Sequence, residues 1–347
     1  MKPLGICGKI RIFALKKYDN MGSFSDITAC IANDMERFRV TFERSLHTKI
    51  PLADNIIRYF LDKRGKQLRP VMAILAAKTI SDNVPDTTIY GATALELLHN
   101  ASLMHDDVVD NSPMRRGKET INKVWDNHVA VLMGDFFLAK CLVCSNATQS
   151  QTISQILADM VIRLTEGELE QQANAMAHQL SEDSYFSVIS GKTASLFAGC
   201  LKIGAVSVNA TSEDVEKMAE VGELLGLMFQ MRDDIFDYFP TNDNVGKPTG
   251  HDIFEGKITL PLIYALKQSS NEDCCRMRCI IENNERLTDE QVAMLVDFAK
   301  ASGGIEYAQA KMKNLGFKAK NILMTFKQSE ARDSLLKLVD LFVEREM

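Results

Sequence analysis

Two clusters of aspartates are the residues best placed to do chemistry. The first lies in Leu98 to Lys118, LHNASLMHDDVVDNSPMRRGK, and centres on Asp106, Asp107 and Asp110. On a helix, Asp106 and Asp110 share one face, while Asp107 points about 100° away. Like charges at that spacing repel by roughly 0.2–0.5 kcal/mol, so a helix that carries them needs something to offset the cost. A hard divalent cation such as Mg²⁺ does so, because it is held by one or two carboxylates together with substrate phosphates. Asn111-Ser112-Pro113 then breaks the helix, and Arg115 and Arg116 follow, a residue type suited to a bidentate grip on phosphate. One such motif alone reads more readily as a solvated acidic helix end. A second copy changes that balance: Asp233, Asp234 and Asp237 repeat the spacing after the apolar run Val221 to Met231 and before the breaker Pro240. Acids for a metal beside bases for a phosphate point to a metal–diphosphate site.

Other residues fit the same chemistry. Lys66 and Arg69 lie in the basic turn Lys63 to Pro70, and Pro70 suits the first turn of the apolar helix that follows, where free N–H groups favour an anion. Lys192 interrupts an apolar helix within Gly191-Lys192-Thr193, where a bland reading has it snorkel to the surface. Lys247 and Lys257 flank a glycine-rich loop. Glu96-Leu97-Leu98-His99 has the ExxH spacing of di-iron bundles, but those need two copies and this chain has one. His105-Asp106 mimics the pair used by metal phosphohydrolases, a reading that leaves the second aspartate cluster unexplained.

The elements that must position these groups read as helices throughout. Of 347 residues, 46% are hydrophobic, only 7% are aromatic, and there are 17 Met and 8 Pro, a profile that favours helix over strand. Apolar positions recur at helical spacing over Ser25–Arg44, Ile56–Leu61, Val71–Thr79, Val129–Cys144, Ile153–Met176, Ser184–Val208, Glu213–Phe239 and up to Leu266. Thr87 or Thr88 is expected to cap the helix that ends in the first aspartates. Thr288 to Glu346 adds two or three helices around Gly303-Gly304, and no sustained strand pattern occurs. The expected fold is all-α, one domain over residues 25–347 after an N-terminal extension, 1–24, that is basic and of open status.

The net charge of −6 argues against nucleic-acid binding. The 8 cysteines offer neither a disulfide framework nor a zinc set, which suits a reducing cytoplasm. No uninterrupted run of 18 apolar residues is present, so a membrane span is not expected, and at most peripheral membrane contact is.

Assembled in order, GKQLRP, DDVVD with RRGK, GKTASLF, FQMRDDIFD and GKPTGHDIFEGK resemble the trans-polyprenyl diphosphate synthases, most closely the long-chain, octaprenyl-type members. The resemblance implies ten or more helices around a deep cavity, a homodimer, and Mg²⁺-dependent head-to-tail condensation of isopentenyl diphosphate onto an allylic diphosphate such as farnesyl diphosphate. It implies three Mg²⁺ ions, with Asp106, Asp110 and Asp233 as direct ligands and Asp107, Asp234 and Asp237 in supporting roles. It further implies that Arg115, Lys192, Lys247 and Lys257 grip the allylic diphosphate, with Gln171 on metal-bound water, and that Lys66, Arg69, His99 and Arg116 hold isopentenyl diphosphate. The carbonyl of Lys192 and the side chains of Thr193 and Gln230 would then turn oxygen dipoles on the allylic cation.

Product length follows from geometry if the growing chain runs down beside the helix that ends in Asp106. Ala101 and Ser102, about one turn back and roughly 5 Å below the metals, are small and leave the way open. Leu98 lies about 12 Å down, and Phe136 or Phe137 in the next helix is the candidate floor. A C30–C50 product is expected, C40 best, in keeping with quinone side chains. The rivals are a C15 or C20 synthase, a class I terpene cyclase, which needs no second diphosphate pocket, and a non-catalytic partner subunit, which is expected to have lost an aspartate motif.

Overall fold

Helix follows helix in this chain, and side chains able to satisfy free backbone N–H groups mark where several begin. A computed structural model describes residues 23–62, 65–115, 117–177, 180–240, 249–268, 272–282 and 287–343. Short α1 (Ser23–Thr28) passes through a 3₁₀ turn into α2 (Ala32–Ser45), and α3 (Pro51–Leu61), α4 (Leu68–Ile80) and α5 (Asp86–Val109) follow. After a small hairpin come α6 (Ile121–Val124), α7 (Asn127–Ala147), α8 (Gln151–Met176), α9 (Glu182–Ile189), α10 (Ser195–Ser207) and α11 (Ser212–Phe236). The chain closes with α12 (His251–Phe254), α13 (Leu260–Gln268), α14 (Glu272–Glu282), α15 (Asp289–Ala301), α16 (Gly304–Leu323) and α17 (Glu330–Val343). The fold is all-α.

Asp126, Ser150, Ser181 and Thr211 each accept a backbone N–H at the starts of α7, α8, α9 and α11, and Thr288 forms a reciprocal capping box with Gln291 at α15. The expected cap at Thr87 or Thr88 is not what forms. Pro85 stands at that helix start, and Thr88 is buried with its hydroxyl 2.6 Å from that of Ser207. Helix packing claims the threonine before the helix end can. The Ser25–Arg44 helix is likewise broken, by the 3₁₀ turn at Ala29–Ile31. A two-residue antiparallel hairpin, Met114–Arg115 with Lys118–Glu119, turns at Gly117 (φ +71°), too short to leave an alternating pattern in the sequence.

The inner helices are apolar nearly all round, as burial on every side requires. In α4, Leu68 to Ala77 is buried throughout, and in α10 so is Ser195 to Leu201. Around them α4 packs on α5, α10 and α17, α5 on α7, and α11 on α10 and α16. A second cluster beneath the C-terminal end of α11 joins Met231, Ile235 and Tyr238 to Leu262, Leu266 and Leu295.

Between α9 and α10 the chain makes a π-helical turn, Ser190–Ala194, where the sequence shows Gly191-Lys192-Thr193. Two glycines let neighbouring helices press against its backbone. A Cβ on Gly167 of α8 would meet the amide nitrogen of Lys192 at 2.6 Å, and one on Gly226 of α11 would meet Cα of Ala194 at 2.4 Å. Helix propensity by itself favours alanine over glycine by about 1 kcal/mol. Gly226→Ala is nonetheless expected to destabilise the protein by about 1–3 kcal/mol, the cost of overpacking against backbone, seen as a lower urea midpoint; an unchanged or higher midpoint contradicts this packing.

Candidate active site

Both aspartate motifs end helices. Asp106 and Asp107 lie in the last turn of α5, whose C-cap is Asp110; Asp233 and Asp234 lie in the last turn of α11, whose C-cap is Asp237. Carboxylates there meet the negative end of the helix dipole and one another, an arrangement unfavourable twice over. Burial, then the nearby Glu168 carboxylate, pushes Asp106 up to about 7. Burial also raises Asp110, to about 6, against the pull of Lys257 and Lys192.

The six acids divide by partner. Arg115 clamps Asp107, with Nε and Nη2 both 2.8 Å from Oδ1. Asp234 accepts from the Tyr185 hydroxyl at 2.6 Å and from Gln230 Nε2 at 2.8 Å, and burial raises its pKa. Asp237 accepts the backbone N–H of Asp252 at 2.8 Å, which ties α12 to the end of α11. By contrast, both oxygens of Asp110 are buried with no hydrogen-bond partner among the described residues. Asp107, Asp234 and Asp237 are thus engaged by protein donors.

Lysines stand among these acids. Lys192, delivered by the π-helical turn, is buried with its ammonium 2.7 Å from Glu168 and 2.9 Å from Gln171. Lys257 is 2.7 Å from Glu255; burial opposes its charge, but Glu255, Asp252 and Asp110 outweigh that and raise its pKa. Thr193 donates to Gln230 at 2.8 Å, so one chain of hydrogen bonds runs Thr193–Gln230–Asp234–Tyr185. A cavity of about 120 Å³ opens here, lined by Lys192, Gln230, Asp233, Asp234, Asp252 and Lys257 among others.

The sequence model of the Polyprenyl synthetase family matches residues 50–298. The chain belongs to the polyprenyl synthetase family. Octaprenyl diphosphate synthase of Haemophilus influenzae is 33% identical to it over 333 residues, 95% of this chain and 99% of that one. A geranylgeranyl pyrophosphate synthase from Bacteroides thetaiotaomicron is 34% identical with a TM-score of 0.79, over 94% of this chain and all of the other. A polyprenyl synthase from Caulobacter crescentus, solved with calcium and isoprenyl diphosphate, is 31% identical with a TM-score of 0.83, over 93% and 98% of the two chains. The protein is therefore an enzyme, a prenyltransferase, and its family uses a divalent metal.

The residues of this polyprenyl synthetase fit such an ion. Asp110 offers two buried oxygens without a hydrogen bond among the described residues, and the raised Asp106 and Asp110 carboxyls are those a cation would ionise. No group of three acids, cysteines or histidines among the described residues is close enough to hold an ion alone.

Other expected residues are more scattered. Arg69 is buried, its Nε without a hydrogen-bond partner among the described residues; burial lowers its pKa while Glu96 on α5 supports its charge. His99 is buried one turn beyond Glu96, whereas the Lys66 ammonium lies 5.7 Å from the Phe24 ring. Arg116 and Lys247 lie outside the described residues. A second cavity of about 80 Å³ lies beside Asp107 and Arg115, lined by Phe60, Asn100, Leu103 and Met104. Ala101, Ser102, Phe136 and Phe137 line neither cavity; Phe137 packs edge-on against Phe60 at 5.1 Å. Sequence reasoning gave no role to Tyr185, Glu168, Asp252 or Glu255, although the last two lie within GKPTGHDIFEGK. Glu168 carried a local signal, three residues before Gln171 on one helix face.

The raised carboxyls have a consequence for stability. Folded Asp106 and Asp110 hold protons that the unfolded chain releases near the ordinary aspartate value of 3.8. Metal-free protein therefore loses stability as pH rises from about 4 through about 7. Thermal denaturation in chelator should show a lower midpoint at pH 8 than at pH 5. Asp110→Asn should shrink that difference, and Mg²⁺ with diphosphate should raise the pH 8 midpoint of the parent but not of the variant.

Proposed function

We propose that this prenyltransferase condenses isopentenyl diphosphate head-to-tail onto an allylic diphosphate, with Mg²⁺, to give a long all-trans product of C30 to C50, C40 being the best single length. The observation that carries the reading is the pair of helix C-termini rich in buried carboxylates, with Lys192 and Lys257 set among them. Asp106, Asp110 and Asp233 would hold three ions together with the allylic diphosphate, and those ions supply Lewis-acid neutralisation of the departing diphosphate. Arg115 keeps Asp107 out of that set, and Tyr185 with Gln230 does the same for Asp234.

Lys192 and Lys257 grip the same diphosphate by exchanging Glu168 and Glu255 for phosphate oxygens. Arg115 and Lys247 complete that grip. Lys66, Arg69, His99 and Arg116 hold isopentenyl diphosphate, and the orphan Nε of buried Arg69 is a donor suited to an anion. The Lys192 carbonyl, Thr193 and Gln230 turn oxygen dipoles on the allylic cation, stabilisation that works because the dipoles are fixed in advance. The proton lost after the alkene attacks passes to the released diphosphate.

A long product is supported by small Ala101 and Ser102 behind Asp106, with Phe136 or Phe137 as the floor. A homodimer is supported by exposed apolar side chains on two helices: Leu132, Leu142 and Val143 on α7, the last two 65% and 64% exposed, and Ile162 and Leu169 on α8. By length and composition alone α7 is also apolar enough to cross a membrane, although it contains Asp135 and Lys140 and packs on α5. A subunit interface accounts for that apolar face without a bilayer. The free thiols, Cys141 and Cys144 among them, suit a reducing cytoplasm, and residues 25–347 are taken as one synthase domain.

Purified enzyme given Mg²⁺, farnesyl diphosphate and labelled isopentenyl diphosphate should yield a product ladder ending near C40. An end at C15 or C20 keeps the chemistry and contradicts the open channel; no incorporation contradicts the function. Asp106→Asn and Asp233→Asn should each lower kcat by about 100-fold or more, since metal stabilisation of leaving-group charge contributes several kcal/mol. Leu142→Glu with Val143→Glu should halve the mass measured by light scattering, and an unchanged mass places the interface elsewhere.

A further inference from the structure

The π-helical turn is held from behind by three side chains outside the residues assigned above. Ser190, its first residue, donates its hydroxyl hydrogen to Glu223 Oε1 of α11, and Arg163 Nη2 of α8 donates to the same hydroxyl at 2.9 Å. Arg163 Nη2 also lies 3.3 Å from Glu223 Oε1.

The two helices treat the turn alike. On α8, Arg163 precedes Gly167 by four residues; on α11, Glu223 precedes Gly226 by three. Each helix thus presses a glycine against the turn's backbone and, one turn earlier, grips Ser190. The Arg163 carbonyl also comes close to the turn: it lies 3.1 Å from where a Cβ on Gly191 would stand.

On the other side of this anchor the turn delivers Lys192 to Glu168 and Gln171, and Thr193 to Gln230. A π-helical turn is rare and persists where its surroundings impose it. Glu223 and Gln230 are seven residues apart on α11, about 10 Å by helix rise. One rigid helix therefore fixes both the back of the turn and the hydrogen-bond partner of its Thr193.

We propose that Ser190, Glu223 and Arg163 are positioning residues for the prenyl transfer, holding the turn so that the Lys192 carbonyl and the Thr193 hydroxyl face the reacting carbon. This rests on the roles given above to Lys192 and Thr193. The half-exposed Arg163–Glu223 ion pair contributes little by itself. The hydrogen bonds to the Ser190 hydroxyl carry the function, and Glu223 supplies the acceptor. Because Lys192 keeps its own partners on α8, loosening the turn affects the transition state more than starter binding.

The test is steady-state kinetics on Ser190→Ala, Glu223→Ala and Glu223→Gln in the full chain, with hydrogen exchange of the amides at 192–194. Ser190→Ala and Glu223→Ala should lower kcat by about tenfold, equivalent to about 1.4 kcal/mol of barrier, with KM for the allylic diphosphate within about twofold of the parent. Glu223→Gln, which keeps an acceptor oxygen for Ser190, should recover kcat to within about threefold of the parent. Amides at 192–194 should exchange faster in the two alanine variants only. A kcat per active site equal to the parent's in Glu223→Ala, even with a lowered melting point, overturns the proposal. So does a loss that Glu223→Gln fails to recover. If the parent enzyme itself shows no condensation, it is the underlying reading that fails.

Discussion

The constraint on which this structure depends is electrostatic: acids are buried at the C-terminal ends of two long helices. Each end carries the helix dipole's negative pole, so the carboxylates oppose both their helix and one another. The fold manages this in part by giving Asp107, Asp234 and Asp237 protein donors. Arg115 takes Asp107, Tyr185 and Gln230 take Asp234, and the start of α12 takes Asp237. Asp106 and Asp110 are left protonating near neutrality, a state that a divalent cation reverses. Buried groups without full partners are costly, and retaining them makes sense where a ligand supplies the missing charge.

The same logic governs the bases. Lys192 and Lys257 sit in the site already paired, each with a glutamate at 2.7 Å. An unpaired buried ammonium tends to lose its proton; a paired one keeps its charge, and its pairing partner marks where a phosphate oxygen would sit. Lys192 holds its place through a backbone irregularity wedged between α8 and α11. Gly167 and Gly226 are structurally demanding for that reason: a side chain at Gly167 would meet the backbone of Gly191 and Lys192, and one at Gly226 would meet both the backbone and the Cβ of Ala194.

The outer surface carries a different kind of information. Helix α7 is buried on one face against α5 and carries exposed apolar side chains, Leu132, Leu142 and Val143 among them, on the other. Mean hydropathy cannot distinguish a covering subunit from lipid. The alternation of buried and exposed positions along α7, with Asp135 on the exposed side, distinguishes a packed helix from one surrounded by hydrocarbon.

By itself the sequence determined the all-helical fold, most helix positions to within a few residues, and the two aspartate clusters with their breakers. These depend on near-neighbour spacing: helical periodicity, proline and glycine punctuation, and i,i+4 carboxylates. It also flagged Gly191-Lys192-Thr193 as an interruption, because a charge and a glycine inside an apolar helix are visible locally. Only the tertiary structure decided which carboxylates are engaged and which are open. Asp106 and Asp107 are adjacent and identical in type, and their difference lies in Arg115, brought back by the hairpin. Tyr185 and Glu223 were illegible for the same reason, since their partners are 49 and 33 residues away in sequence. Thr88 shows the converse, a good local cap taken up instead by Ser207 on a helix 119 residues further on. Periodicity reports which face of a helix is buried, but it carries nothing about what that face meets.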